Sequence, residues 1–287
     1  MQNLGFIGLG LMGGNICANL VKHGNILTVF DIVQAKMKRF EGQATLANST
    51  LEVFEKSDVI FFSLPNSEII EKITAEFLQT GVKGKTVIDL STSYPMSTKK
   101  LYTAFKSVGG NYIDAPLLAG PDEAAAGQLI SMISGDKEAV DNCHEFFMEY
   151  CVKYDYVGES GNAHIMKIMM NFTGLMYALL LGQMFPLAEK LGINPNNLYE
   201  VMDNEIFSNW VYRFYAPKMI DRSFGMAFAL DLGLKDLTYM KKLYEEYNVP
   251  AFALDGGLDL LRSARKDGKG KLDFSQCAAT MYDFLGL

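Results

Sequence analysis

The sequence has little of what metal centres and nucleic-acid interfaces require. It holds three histidines and four scattered cysteines, and no CxxC pair occurs. A His/Cys metal site would therefore have too few ligands, and we expect no bound metal. The net charge of −7 provides no basic footprint, so we expect no nucleic-acid partner.

Internal repeats and low-complexity tracts are also absent from the sequence. The chain begins directly in a strand-like run with no basic region before it, which predicts no signal peptide and a cytoplasmic location. A hydrophobic fraction of 49% argues against disorder, and 287 residues are enough for two domains.

The first thirty residues read as strand, glycine turn, helix and strand. Leu4–Ile7 is a short apolar run, the turn G-L-G-L-M-G spans 8–13, and a helix-like segment, NICANLVKHG, follows. A second apolar run, Ile26–Phe30, ends at Asp31. This order is the context that distinguishes a dinucleotide-binding unit from a merely structural glycine-rich turn.

Each part of this unit has a physical role. Gly8 permits the tight turn, Gly10 lets the backbone approach a pyrophosphate, and Gly13 lets helix and strand pack closely. Free N–H groups at the helix start attract phosphates. Asp31 lies 18 residues after Gly13, near the spacing of an acid that binds the ribose.

Asp31 also predicts which cofactor binds. A carboxylate accepts hydrogen bonds from a ribose 2′-hydroxyl but repels a 2′-phosphate, so we expect NAD(H) rather than NADP(H). Lys36, Lys38 and Arg39 lie further along and are interpreted as a solvated helix face.

Apolar runs and helix-like segments then alternate as far as about residue 134, which predicts an α/β fold with a doubly wound sheet. Ligands bind such sheets beyond the carboxyl ends of the strands. The loop Leu64, Pro65 and Asn66 and the loop Ser91–Thr92 follow two of these runs. We expect both loops near the cofactor, although ordinary connecting loops would look the same.

Asn162–Gly192 is a long apolar stretch that carries Lys167 near its start. Lys167 and Asn171 are four residues apart, so a helix would place them on one face. Three interpretations compete: a transmembrane span, a core helix with a stray lysine, and a helix joining two domains. Charged and polar residues within the stretch argue against the span. We favour the joining helix, with 1–161 as a Rossmann domain, 162–192 as the interdomain helix and 193–287 as an all-α domain.

Four motifs in order are similar to those of the β-hydroxyacid dehydrogenase family. They are GFIGLGLMGGNICANL (5–20), DAPLLAGPDEAAAG (114–127), GESGNAHIMKIMMN (158–171) and KDL (235–237). Because the motifs cover nearly the whole chain, we identify it as a member of this family. The resemblance implies an NAD-dependent oxidoreductase that interconverts a short 3-hydroxy acid, or a similar anionic alcohol, and its semialdehyde. Separately, the apolar helical half predicts a homodimer or homotetramer, and we expect no membrane partner.

The resemblance assigns roles residue by residue. Lys167 takes the place of the catalytic lysine, which moves the proton, and Asn171 that of its partner. Lys235 falls where the family lysine reaches cofactor and substrate. Cofactor contacts are further implied for Leu11, Met12, Pro65 and Thr92, and substrate contacts for Leu118, Ala119 and Gly120.

The chain departs from the family pattern in the substrate segment. Where the family has Ser-Gly-Gly, this chain has Leu118-Ala119-Gly120, so a hydroxyl donor is missing and only backbone N–H groups remain. An NADP(H)-dependent semialdehyde reductase, an imine reductase and a non-catalytic scaffold protein remain as alternatives. A 6-phosphogluconate dehydrogenase would need a longer helical region. We interpret His164 as a helix-start or surface residue, because Lys167 already fits the role of proton donor.

Overall fold

The structure is a computed structural model, and it describes residues 2–287. The chain forms two compact units, which divide after Lys167. This division lies inside the long helix Asn162–Lys190, whereas the sequence pattern suggested boundaries at the two ends of that helix. Lys167 is therefore the last residue of the first unit, and Asn171 belongs to the second.

The first unit contains two sheets. Its strands are β1 Leu4–Ile7, β2 Leu27–Phe30, β3 Thr45–Leu46, β4 Val59–Phe62, β5 Thr86–Asp89, β6 Asn111–Asp114, β7 Leu117–Leu118, β8 Leu129–Ile133 and β9 Cys151–Tyr156. The first six form a parallel sheet in the order β3-β2-β1-β4-β5-β6. This order reverses between β1 and β4, where open α/β sheets bind their ligands. The predicted doubly wound fold is confirmed.

Helices cover both faces of the parallel sheet. They are α1 Leu11–Lys22, α2 Gln34–Met37, α3 Thr50–Lys56, α4 Ser67–Thr80, α5 Pro95–Ser107, α6 Pro121–Ala126, α7 Lys137–Asn142 and α8 His144–Met148. Successive residues of one strand enter opposite cores: Phe61 packs in one buried cluster and Phe62 in the other. Burial on both faces explains why these strands read as continuous apolar runs.

The second sheet of the first unit was not predicted in full. Strand β8 lies between β7, which is antiparallel to it, and β9, which is parallel to it. The apolar run that gave β8 was recognised, but β7, which has only two residues, and β9, most of whose residues are exposed, were not. Two residues show no period, whereas β9 alternates apolar and polar residues over 152–156 and could have been recognised from its sequence.

The second unit is helical throughout its described elements, as predicted. Its helices are the remainder of α9 Asn162–Lys190, then α10 Pro195–Met202, α11 Trp210–Ile220, α12 Leu230–Glu246, α13 Leu254–Lys266 and α14 Gln276–Leu285. Glycines allow close helix packing: a Cβ on Gly182 would lie 2.7 Å from Cys277 Sγ, and one on Gly257 would lie 2.9 Å from Met176 Sδ.

Helix α9 is long and apolar enough to cross a bilayer by length and composition alone. Its most apolar window has a mean hydropathy of 1.5, and 33% of that window is buried inside the protein. A core helix of a globular protein passes the same test.

Candidate active site

The glycine turn between β1 and α1 is shaped for a phosphate. Gly8 has φ +99°, and a Cβ there would lie 2.2 Å from Ser63 O. A Cβ on Gly13 would lie 2.1 Å from Gly8 O, whereas one on Gly10 would meet nothing within 4 Å. The two tight glycines thus fix the turn, and the open space at Gly10 fits a pyrophosphate close to the backbone.

Helix α1 begins earlier than the sequence suggested, at Leu11. Leu11 and Met12 therefore stand in the first turn, where backbone N–H groups lack partners within the helix. The first turn carries no acidic side chain, and the N-cap residue Gly10 contributes no side-chain hydrogen bond. This end of the helix can accept the negative charge of a dinucleotide.

The carboxylate of Asp31 holds the glycine turn. Its Oδ2 accepts a hydrogen bond from Leu9 N at 2.8 Å, and its Oδ1 accepts one from Val33 N at 2.8 Å. Lys36 Nζ lies 3.5 Å from Asp31 Oδ2. Lys36 remains exposed, which agrees with its interpretation as part of a solvated helix face, and its ammonium also reaches Asp31. Arg39 Nη1 likewise contacts α1, donating to Asn15 Oδ1 at 3.1 Å.

The loops after β4 and β5 are joined to each other. Leu64 N donates to Ser91 Oγ at 2.9 Å, and Thr92, which follows Ser91, is half-buried. Pro65 is exposed. The side chain of Asn66 caps α4, with Oδ1 accepting from Ile69 N at 2.9 Å. That oxygen serves helix structure, so a cofactor contact of Asn66 would have to use its other groups.

Residues far away in sequence cap the start of α9. Asp114 Oδ1 accepts from Gly161 N at 2.9 Å and Asp114 Oδ2 accepts from His164 N at 3.2 Å. Ser134 Oγ accepts from Ala163 N at 3.1 Å and donates to Asp114 Oδ2 at 2.6 Å. These bonds satisfy N–H groups that a helix start leaves open and fix it at the carboxyl end of β6.

Lys167 follows within this anchored segment and is half-buried. His164 is fully buried, so its interpretation as a surface residue is wrong, although it does stand at the helix start. Sequence reasoning missed Asp114 and Ser134 as supports of the helix, because their partners lie up to 50 residues away.

The segment Leu118-Ala119-Gly120 forms a tight turn beside α1. Ala119 has φ +81°, in the left-handed region that favours glycine. Gly120 N donates to Glu123 Oε2 at 2.9 Å, and Asn15 Nδ2 of α1 donates to Pro121 O at 3.0 Å. The backbone N–H of Gly120, which we expected to be available to a substrate anion, is thus occupied by the carboxylate of Glu123.

In the second unit, Asn171 and Lys235 share one carboxylate. Asn171 Nδ2 donates to Asp236 Oδ2 at 2.7 Å, and Lys235 Nζ lies 3.2 Å from Asp236 Oδ1. Asp236 is almost fully buried. Sequence reasoning assigned roles to Asn171 and Lys235 but none to Asp236, although it is the middle letter of the KDL motif.

Comparison with known proteins agrees with this geometry. Residues 3–158 match the NAD-binding domain of 6-phosphogluconate dehydrogenase, and residues 161–281 match the NAD-binding domain of NADP-dependent 3-hydroxyisobutyrate dehydrogenase. The chain belongs to the β-hydroxyacid dehydrogenase family. As a family member it has a nicotinamide-dinucleotide-binding domain and is an oxidoreductase. The second match covers the helical part of this chain. It agrees with a helical region shorter than the one that a 6-phosphogluconate dehydrogenase would need.

Individual relatives cover nearly the whole chain. The 2-(hydroxymethyl)glutarate dehydrogenase of Eubacterium barkeri is 28% identical over 95% of this chain and 92% of its own. The NAD-dependent L-serine dehydrogenase of Pseudomonas aeruginosa is 29% identical over 96% of both chains. The structure of Mycobacterium tuberculosis 3-hydroxyisobutyrate dehydrogenase with L-serine superposes with a TM-score of 0.88, at 24% identity over 98% of this chain and 99% of its own, and supports the fold.

Proposed function

We propose that this protein catalyses the NAD(H)-dependent interconversion of a short 3-hydroxy acid, or a similar anionic primary alcohol, and its semialdehyde. The observation that carries the proposal lies within the first unit. Lys167 stands on a helix start that is hydrogen-bonded to the carboxyl end of β6, at the sheet edge where the glycine turn also opens. A proton-transferring side chain and a dinucleotide site are thereby held on the same rigid sheet.

The choice of NAD(H) rests on Asp31. Its carboxylate has lone pairs left after accepting from Leu9 and Val33, and these can accept from the 2′- and 3′-hydroxyls of an adenosine ribose. A 2′-phosphate would meet a buried negative charge. The ammonium of Lys36, 3.5 Å away, partly offsets this repulsion and supports the alternative that NADPH is also used.

The proposed chemistry divides between cofactor and protein. Hydride transfer at the nicotinamide ring is the chemistry that the cofactor supplies when bound. In the oxidative direction, neutral Lys167 Nζ accepts the hydroxyl proton as the carbonyl forms; in the reductive direction, the ammonium returns that proton to the alkoxide oxygen. Asn171 donates to Asp236, which leaves its Oδ1 free to accept a hydrogen bond from the substrate hydroxyl or from an ammonium.

The substrate class rests on charge and on the named relatives. L-serine and 2-(hydroxymethyl)glutarate, named for two relatives, both carry a primary alcohol on the carbon next to the one bearing a carboxylate. Lys235 supplies a cation for such a carboxylate. At the turn, Leu118 carries no hydroxyl and Glu123 occupies the Gly120 N–H, so the turn offers a substrate carboxylate fewer donors than the family pattern does.

We further propose a cytoplasmic homodimer or homotetramer. Several large apolar side chains of the second unit are exposed in the single chain, among them Ile206, Trp210 and Phe252. Burying such side chains against a second copy is favourable. Sedimentation velocity of the purified chain tests this directly, and a monomer at micromolar concentration would contradict it.

A two-way substrate screen tests the proposed function. NADH and NADPH oxidation is followed with short semialdehydes that carry a carboxylate, sulfonate or phosphate, and NAD⁺ reduction with L-serine and 3-hydroxyisobutyrate. We expect turnover with NADH and a carboxylate semialdehyde, abolished in Lys167→Ala. Turnover that is unchanged in Lys167→Ala would contradict the assigned chemistry, and turnover of imines but of no aldehyde would favour the imine reductase.

A further inference from the structure

His164 is buried between the helix that carries Lys167 and the loop after β5. Its Nδ1 lies 2.7 Å from Thr98 Oγ1 and its Nε2 lies 3.0 Å from Ser91 O. A carbonyl oxygen can only accept, so Nε2 donates to Ser91 O. Nδ1 pairs with the Thr98 hydroxyl, which also lies 3.3 Å from Tyr94 O, so both ring nitrogens have a hydrogen-bond partner.

Two buried carboxylates stand near this ring but are satisfied by other groups. Asp89 Oδ2 lies 3.9 Å from His164 Nε2 and Asp114 Oδ2 lies 4.0 Å from Nδ1. Asp89 accepts from Ser91 N at 2.9 Å and from Ser93 Oγ at 2.7 Å. The imidazole is therefore not needed as a counter-ion, and its hydrogen bonds to Ser91 and Thr98 are what it adds.

The bond to Ser91 joins the loop that we expect near the cofactor to the helix that carries Lys167. Ser91 directly precedes Thr92 in the loop at the carboxyl edge of the sheet. His164 lies in the first turn of α9, three residues before Lys167 and so about one helical turn from it. A shift of the loop relative to α9 would break the bond from Nε2 to Ser91 O.

We propose that His164 is a positioning residue that holds Lys167 in register with the Ser91–Thr92 loop, and hence with the cofactor and substrate bound at that edge. This inference rests on the proposed function. The loop keeps independent support from Asp89, and the helix start keeps Asp114 and Ser134. Loss of the imidazole should therefore misplace the lysine without unfolding either element.

Substitutions at His164 and Thr98 test this role. His164→Leu fills much of the same space but removes both hydrogen bonds, whereas the amide of His164→Gln can still donate to Ser91 O. Thr98→Val removes only the hydroxyl bound to Nδ1, and it carries the test together with His164→Gln if His164→Leu does not fold. His144→Leu is the matched control, because His144 also bonds a hydroxyl through Nδ1, that of Tyr154, but is exposed.

The readouts are kcat, the dissociation constant of NADH by fluorescence, and the isotope effect on kcat with NADH deuterated at the transferred hydrogen. A misplacement of about 1 Å can reduce rates by roughly 100-fold, so we expect His164→Leu to lower kcat by about 10- to 100-fold. The NADH dissociation constant should stay within about twofold, since the glycine turn is untouched. The isotope effect should rise, because the chemical step becomes rate-limiting, and His164→Gln should recover part of kcat.

Two outcomes contradict the inference in different ways. If turnover depends on Lys167 but folded His164→Leu, His164→Gln and Thr98→Val all keep the kcat and isotope effect of the unmodified protein, then His164 is only a core residue. If the unmodified protein turns over no semialdehyde or hydroxy acid with either cofactor, the proposed function fails, and the positioning role fails with it.

Discussion

Asn171 and Asp236 form a hydrogen bond of 2.7 Å between Nδ2 and Oδ2, and the other oxygen of the same carboxylate lies 3.2 Å from Lys235 Nζ. One buried acid thus orients two side chains to which the family resemblance assigns contact with substrate. Its burial makes the arrangement rigid, because an unpaired carboxylate would be costly there.

The role of Asp236 can be tested with a nearly isosteric change. Asp236→Asn removes the charge that holds Lys235 and allows the new amide to present a donor to Asn171. We expect kcat/KM for the anionic substrate to fall by about 10- to 100-fold, corresponding to roughly 1.4–2.7 kcal/mol of lost stabilisation. Asp255→Asn, at an exposed acid of α13 that pairs with Lys241, is the control and should leave kcat/KM unchanged. Equal values for both variants would remove Asp236 from the site.

Asp31 sets the expected cofactor preference. The unmodified protein should use NADH with a higher kcat/KM than NADPH, and Asp31→Ser should narrow the ratio by removing the charge that repels a 2′-phosphate. The same variant should lose thermal stability, because Leu9 N and Val33 N lose their acceptor. Steady-state kinetics with both cofactors checks this, and equal use of the two by the unmodified protein would contradict the role given to Asp31.

Ala119 stores backbone strain in the substrate turn. Its φ of +81° disfavours any residue with a Cβ, and the family pattern has glycine here. Ala119→Gly should relieve a strain of about 1–2 kcal/mol, but glycine also gains conformational freedom in the unfolded chain, which partly offsets this. The free energy of unfolding should therefore rise by about 0.5–1 kcal/mol. Urea unfolding measures this, with Ala126→Gly inside α6 as the control that should destabilise. A destabilised Ala119→Gly protein would show that the turn is not strained.

The same turn should limit which acids are bound. Leu118→Ser restores a hydroxyl, and Glu123→Ala frees Gly120 N–H, so the double variant should raise kcat/KM for 3-hydroxyisobutyrate-like or tartronate semialdehyde-like substrates above that of Leu118→Ser alone. Glu123→Ala also removes a helix cap, so melting temperature is measured alongside. No gain in either variant on any of these substrates would mean that the carboxylate is held elsewhere.

Local pattern was sufficient for the parts of the fold that are periodic or carry a compact motif. The buried strands, the glycine turn and helix α9 were all visible in the sequence. The short strands β3 and β7 were not, because two residues carry no period. Non-local hydrogen bonds were also hidden: the capping of α9 by Asp114 joins residues 47 and 50 apart, and no sequence rule pairs them.

Side-chain contacts explain what sequence analysis missed at the site itself. Lys36 lies on the solvated face that its charge suggested, but its ion pair with the buried carboxylate of Asp31 was not foreseen. Sequence analysis noted the missing serine hydroxyl and expected the Gly120 N–H to be available to a substrate anion. It did not consider Glu123, three residues later, whose carboxylate accepts a hydrogen bond from that N–H. The glutamate three residues after Gly120 could have revealed this in advance, because a Glu side chain at that helix position reaches back to the N–H of the N-cap residue.

Lys167→Ala tests the central claim most directly. The kcat, the NADH dissociation constant and the melting temperature are measured on one preparation of this variant. The kcat should fall by about 10²–10⁴, the range for a lost general acid. The NADH dissociation constant and melting temperature should change little, because the glycine turn and the Asp114 cap of α9 are untouched. Lys167→Arg should also be inactive, since a guanidinium does not give up its proton. A folded Lys167→Ala protein that binds NADH and retains most of its kcat would contradict the account.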